Sequence, residues 1–336
     1  MINVNVGIIG LGYWGPNLIR NFFSTKGCKL VAISDLEIAK LEKFKTLYPG
    51  LETYQDANSL IKNENIDAIV IATPVFSHFN LAKLALEHNK HVLIEKPMTS
   101  SVQEAETLIE LAAKKNKILM VDHTFLYTGA VQKIKELIDQ DVIGKLKYVD
   151  STRINLGLFQ PDINVLWDLA PHDISILSYI CNEQPVAVHA NGICHTNNGI
   201  ENIAYLTLKY QTNLIAHFNC SWTSPVKIRK FLIGGDKKMI VYDDMEPTEK
   251  VKLYDTGFDY KNEEDRRRIL VDYRVGDIFV PKLSTTEALA GITNDFVMSV
   301  TGQKSPVSDA QLGLKVVKIL EAAQKSIKLN GKEIPV

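Results

Sequence analysis

Three side chains in this sequence sit where an apolar packing pattern does not ask for them. Lys96 stands in Glu95-Lys96-Pro97, directly after the apolar run His91–Ile94. If that run is a strand of an open parallel sheet, Lys96 lies at its carboxyl end, where such sheets bind ligands. There it could hydrogen-bond a substrate hydroxyl; the plainer alternative is a surface turn. The Lys96–Pro97 bond is a candidate for a cis peptide that aims the lysine inward. Asp168 and His172 follow in Trp167-Asp168-Leu169-Ala170-Pro171-His172-Asp173. Their i, i+4 spacing places both on one face of a helix. A histidine titrates near neutral pH and can serve as a base, and a neighbouring carboxylate stabilises its charged form. The competing readings are a satisfied structural histidine and an Asp168 that merely caps the helix, with Pro171 in its first turn.

A second group of residues has backbone chemistry. Gly10-Leu11-Gly12-Tyr13-Trp14-Gly15 matches G-x-G-x-x-G. It has an apolar strand pattern before it and a helical pattern after it, the context a dinucleotide fingerprint requires. Gly10 permits a tight turn, Gly12 lets the backbone approach a pyrophosphate, and Gly15 lets the helix pack closely. The amides of Tyr13, Trp14 and Gly15 then face the phosphates, and Pro16 suits the first helical turn. Asp35 ends the next apolar run, 20 residues beyond Gly15. It is placed to accept hydrogen bonds from the adenosine ribose and to repel a 2′-phosphate, which favours NAD over NADP. It can equally cap a helix starting near Ile38.

The elements that must position these groups are legible as patterns. Strands are expected at Val4–Ile9, Leu30–Ser34, Ala68–Ala72, Val92–Ile94 and Ile118–Val121. Helices are expected at Asn17–Ser24, Ile38–Leu47, Ser77–Glu87 and Val102–Lys115. Runs apolar on both faces that alternate with helices predict a doubly wound parallel sheet. After His123 the texture changes. A helix over Ala130–Gln140, a strand over Lys147–Leu156 and a helical stretch around Trp167–Ile180 lead into alternating runs: Val186–Cys194, Ile203–Tyr210, Asn213–Trp222, Arg229–Gly234 and Lys238–Tyr242. That alternation predicts antiparallel sheet. Helices over Thr286–Val300 and Ala310–Leu329 close the chain. The expected architecture is therefore an α/β Rossmann dinucleotide-binding domain over 1–122 and an α+β domain over 123–336, with a large, open, mainly antiparallel sheet.

Composition narrows the class. A chain of 336 residues exceeds one ordinary core, and 46% hydrophobic with 23% charged residues describes a globular protein. A net charge of −1 offers no basic field for nucleic acid or a membrane surface. The first residues run straight into a strand without the features of a secretory signal, and no apolar run is long enough to span a bilayer, so a cytoplasmic location is expected. Cys28, Cys181, Cys194 and Cys220 form no metal or redox spacing; buried reduced thiols and no metal site are expected. The charged run Lys261–Arg268 reads as solvated surface.

The combination resembles the glucose–fructose oxidoreductase/inositol dehydrogenase (Gfo/Idh/MocA) family. The resemblance rests on GLGYWG after the first strand, Asp35, Ala72-Thr73-Pro74, Glu95-Lys96-Pro97 and the Asp168…His172 pair, in order along essentially the whole chain. It implies that Lys96, Asp168 and His172 surround the nicotinamide of a bound NAD. It also implies that Thr73, Pro74 and His78 line the dinucleotide with Glu95 beside them, and that the open sheet forms a homo-dimer or homo-tetramer interface. GYWGPNLIRNF, INLGLFQ and LWDLAPHDISIL are similar to members associated with nucleotide-sugar and surface-polysaccharide pathways. Ala170-Pro171, where many members carry glycines, weakens any transfer of substrate. The resulting expectation is an NAD-dependent dehydrogenase or ketoreductase of a nucleotide-linked sugar, with a free cyclitol or monosaccharide as the alternative substrate and a non-catalytic dinucleotide-binding protein as the alternative class. Tyr127, Arg153 and Asn155 are further candidates for substrate contact; Arg153 could meet a carboxylate or a diphosphate.

Overall fold

A computed structural model of the chain describes residues 3–157, 159–196, 198–259, 264 and 272–336. Apart from Glu264, the charged run Lys261–Arg268 lies outside the described residues. The chain forms two compact units, Met1–Thr128 with Thr286–Glu321, and Gly129–Thr285 with Ala322–Val336.

The first unit is built on a six-stranded sheet of order β3-β2-β1-β4-β5-β6, with every pairing parallel. The strands are β1 (Val4–Ile9), β2 (Cys28–Ser34), β3 (Glu52–Tyr54), β4 (Ala68–Ile71), β5 (His91–Glu95) and β6 (Leu119–Asp122). β3 and the short helix Ala57–Lys62 were not expected: three residues with no buried side chain leave almost no pattern to read. The order reverses between β1 and β4, so the carboxyl ends of these two strands flank the crevice where doubly wound sheets bind ligands.

Helix α1 (Gly15–Ser24) buries Leu18, Ile19 and Phe22 on one stripe. Phe22 meets Phe296 edge to face, with ring centroids 6.2 Å apart. Phe296 belongs to a helix near the end of the chain, Ala288–Val300, whose Leu289, Ile292 and Val297 join the same core. The boundary expected at residues 122/123 therefore differs from the observed division: the chain returns, because α1 has an apolar stripe that this late helix covers.

The second unit holds a nine-stranded sheet, largely antiparallel. Its central strand β7 (Leu146–Leu156) pairs parallel with β10 (Ile215–Ser221) and antiparallel with β11 (Thr223–Gly235). Along β9 (Ile203–Tyr210), Ala204, Leu206 and Leu208 are buried while Tyr205 and Lys209 are exposed, so one face is covered and the other open. Helix α7 (Val165–Ile180) makes contact with β7, β9 and β10. Among the described residues no helix is long and apolar enough to cross a membrane. Cys181 and Cys220 are buried free thiols, whereas Cys28 and Cys194 are only partly covered.

Candidate active site

In the first unit the expected residues gather at one edge of the sheet, because every one of them follows a parallel strand. Gly10 has φ +95°, a conformation glycine adopts freely, and a Cβ there would stand 2.6 Å from the Ala72 carbonyl oxygen. A Cβ on Gly15 would meet the Gly10 carbonyl oxygen at 2.4 Å, so this glycine is required for the tight packing of helix on loop. A Cβ on Gly12 would meet nothing within 4 Å. The space over Gly12 is open where a phosphate must approach, and Pro16 lies in the first turn of α1 as expected. Trp14 occupies the N-cap without a side-chain cap, so the amides at the start of α1 remain suited to an anion. These features fit a dinucleotide. Tyr13 is 81% exposed.

Asp35 stands directly after β2 and is tied to the loop: Oδ2 accepts from the Leu11 amide at 2.7 Å, and Oδ1 from the Glu37 amide at 2.9 Å. Glu37, not Asp35, is the N-cap of the helix Ile38–Leu47. Lys40 brings a cation 3.9 Å from the same carboxylate. Thr73 and Pro74 follow β4. The Ser77 hydroxyl donates to Thr73 Oγ1 at 2.6 Å. His78 is buried, with Nε2 2.8 Å from the Thr73 carbonyl and Nδ1 2.9 Å from the Pro97 carbonyl. It thus staples the segment after β4 to the segment after β5, and burial lowers its pKa. Its ring serves this link instead of facing outward.

Glu95 ends β5, and the Lys96–Pro97 peptide is cis. Glu95 and Asp122 are register partners at the ends of β5 and β6. Both are nearly inaccessible, at 8% and 2% exposure. Burial raises the pKa of Glu95 well above the carboxylate range, the Asp122 charge raises it further, and burial raises that of Asp122 as well. The next residue, His123, is also buried, and neither ring nitrogen has a hydrogen-bond partner. Burial, then the charge of Lys96, pushes its pKa down to about 3, so the ring is neutral. Asp122 and His123 escaped the sequence reading. The available signal was positional: β6 ends at the same sheet edge as β5.

In the second unit, α7 starts at Val165, where Asn164 is the N-cap and accepts from the Trp167 amide at 3.1 Å. Asp168 is therefore not the cap. It lies in the first turn, where the helix dipole favours a negative charge. Pro171 falls inside the helix and supplies no amide to the Trp167 carbonyl. Asp168 and His172 share a half-exposed face one turn apart, as the spacing predicted. Asp168 Oδ2 accepts from Trp222 Nε1 at 3.0 Å, and Trp222 is buried. This tryptophan carried no motif and was missed.

Arg153 is placed otherwise than expected. Its guanidinium is 3% exposed and ion-pairs with Asp173 at 2.5 Å, while Nε donates to the same carboxylate at 2.7 Å. Ser151 completes the set with a 2.7 Å bond to Asp173 Oδ2. The carboxylate that Arg153 meets is thus a buried internal one, at the residue following His172. Tyr127, in the first unit, is likewise engaged: its hydroxyl donates to the buried Asp295 at 2.5 Å. Asn155 remains half-exposed near the end of β7. A cavity of about 610 Å³ in this unit, bordered by Ile138, Lys147, Cys181, Glu183 and Asn213, contains none of the expected residues. No cluster suited to a metal ion occurs among the described residues.

A parallel sheet of this order with an intact phosphate loop defines a Rossmann dinucleotide-binding fold. Residues 4–123 match the model of the GFO/IDH/MocA oxidoreductase family with an NAD-binding Rossmann fold, and residues 131–241 match the GFO/IDH/MocA C-terminal domain. The chain belongs to this family. It is 28% identical over 195 residues to the 1-carboxy-3-chloro-3,4-dihydroxycyclohexa-1,5-diene dehydrogenase of Comamonas testosteroni, a match covering 55% of this chain and 49% of the relative. The chain spans about half the length of the first curated relatives it matches. The fold is shared with the UDP-N-acetylglucosamine 3-dehydrogenase of Acidithiobacillus ferrooxidans (TM-score 0.81, 22% identity, 98% and 99% of the two chains covered). It is also shared with the scyllo-inositol dehydrogenase of Lactobacillus casei, solved with NAD(H) and scyllo-inositol (TM-score 0.80, 20% identity, 99% of each chain covered).

Proposed function

We propose that the protein is an NAD-dependent oxidoreductase acting on a carbinol of a sugar, with a nucleotide-linked sugar as the substrate class. The observation that carries this reading is Lys96 at the carboxyl edge of the sheet that holds the glycine loop. The bound nicotinamide supplies the hydride acceptor, or the donor in the reverse direction. The residues that hold the dinucleotide are Gly10–Gly15 through their backbone, Asp35 at the ribose, and the Thr73-Pro74 and Glu95-Lys96 segments. Asp35 disfavours a 2′-phosphate and so favours NAD.

His172 takes the hydroxyl proton as the carbinol is oxidised. Asp168, anchored by Trp222, fixes the helix face that presents the imidazole. Lys96 donates to the substrate oxygen and stabilises its developing negative charge. Ketone reduction uses the same groups as acids. A free cyclitol is the second reading, favoured by the likeness to the inositol dehydrogenase fold. The open sheet face, with Ile193, Tyr205 and Ile215 exposed, suits a homo-oligomeric contact. A cytoplasmic setting accords with this small-molecule chemistry.

The experiment follows nicotinamide absorbance across UDP-sugars, TDP-sugars and free cyclitols. Lys96→Met and His172→Asn are each expected to lower kcat/KM about 10²- to 10⁴-fold while retaining NADH binding. Parental turnover of a confirmed substrate by both variants would refute the assignment, and turnover of cyclitols alone would select the second reading. NADPH binding tighter than NADH would reverse the cofactor choice.

A further inference from the structure

The carboxyl ends of β5 and β6 bring two acids together in a place where neither sequence motif nor the proposed reaction requires a pair. Glu95 and Asp122 are in register on neighbouring parallel strands, so their side chains project from the same face. Both side chains are buried, so each acts on the other's charge with little solvent between them. The other bonds are already assigned: Glu95 Oε2 accepts from the Lys96 amide at 3.2 Å, and Asp122 Oδ1 accepts from the Thr124 hydroxyl. Asp122 Oδ2 is buried and receives no donor. Two buried carboxyl groups on adjacent strands can hydrogen-bond to each other only when a proton lies between them, and like charges so near cannot both ionise readily.

We propose that Glu95 and Asp122 hold one proton between them, and that this pair sets the single negative charge opposite the Lys96 ammonium and thereby positions it. Asp122 acts here through Glu95 and Lys96, not on the substrate. The inference rests on the catalytic reading of Lys96 only for its kinetic consequence.

The charge count explains the arrangement. The Lys96 cation lowers both acids and the Thr124 hydroxyl lowers Asp122, while the nearby His123 ring and Tyr127 phenol are neutral. With one shared proton, the buried pair carries one negative charge against the one positive charge of the partly exposed Lys96. Loss of that proton leaves two carboxylates facing one ammonium, and the carboxylates then compete with the substrate oxygen for its donors. The sign follows from the directions: burial raises both acids, so the pair keeps its proton to higher pH than a free carboxyl would and loses it as pH rises. The pair neither gives nor receives the substrate's hydroxyl proton.

Two measurements test this. Infrared spectra of the ligand-free protein at neutral pH should show the C=O stretch of a buried protonated carboxyl. That band should disappear in Asp122→Asn and in Glu95→Gln, since either amide can donate to the remaining carboxylate without carrying an acid proton. A parent protein without the band, or a band that persists in both variants, overturns the proposal. In steady-state kinetics, the alkaline fall of kcat/KM should move upward by more than about one pH unit in Asp122→Asn. An unmoved alkaline limb overturns the positioning role. Failure of the catalytic reading is separable: it shows as parental turnover in Lys96→Met, an outcome that leaves the infrared band unaffected.

Discussion

The two units hold their candidate catalytic groups by different means. In the first, position comes from backbone: the six parallel strands end at one sheet edge, and glycines, a cis proline and strand register place each side chain. In the second, position comes from side chains reaching across the covered face of the sheet to α7, where Arg153 and Ser151 hold Asp173 and Trp222 holds Asp168. A backbone-built site leaves a spaced motif because few residues satisfy its conformations. A site braced by side chains leaves partners scattered along the sequence, so its motif, Asp168…His172, shows only the visible half.

The largest effect should come from breaking the brace under α7. Removing one member of a buried ion pair costs about 3–5 kcal/mol, because the other charge stays buried alone. Arg153→Met is therefore expected to lower stability in denaturant unfolding by that amount. Had Arg153 been a substrate ligand, the variant would keep its stability and raise KM instead. That outcome would erase the contrast between the units.

The backbone-built edge predicts a split between neighbouring glycines. Gly15→Ala places a methyl group 2.4 Å from the Gly10 carbonyl oxygen, and overpacking of this kind typically costs about 1–3 kcal/mol. It should destabilise the free protein. Gly12→Ala meets nothing within 4 Å, so the unfolding midpoint of the free protein should not move. Its NADH affinity should instead fall about tenfold or more, equivalent to roughly 1.4 kcal/mol. Destabilisation by Gly12→Ala with unchanged NADH affinity would mean that the open space over the loop is not where the phosphates approach.

The same contrast explains what was legible. The strand-helix alternation of the first unit, the loop, Asp35 and the cis candidate at Pro97 could be read because apolar runs and glycines carry local meaning. The helix Ala288–Val300 could be read as a helix but not as part of the first core, since its partner Phe22 lies far away in sequence. Asp168 looked like a cap because Asn164, three residues upstream of Trp167, is an equally ordinary capping type. Arg153 looked available because a charged residue on a strand gives no sign of which face it takes or what neutralises it. The Glu95–Asp122 pair is visible only once β5 and β6 are set in register.

The smallest expected effect is also the most direct probe of how the second unit holds its catalytic face. Trp222→Phe keeps a buried ring but removes the Nε1 donor to Asp168, a loss of about 1–3 kcal/mol for a hydrogen bond to a charged group. If Asp168 matters chiefly as part of the fold, this loss should appear in the unfolding curve and leave kcat alone. If it positions His172, kcat should drop about fivefold or more, corresponding to roughly 1 kcal/mol, with KM nearly constant. We expect the second pattern, because Asp168 is half-exposed on the same helix face as His172 while the stability of α7 rests on the buried Asp173 below. A variant that loses stability at parental kcat would assign Asp168 to the brace and leave His172 as the sole chemical group contributed by that helix.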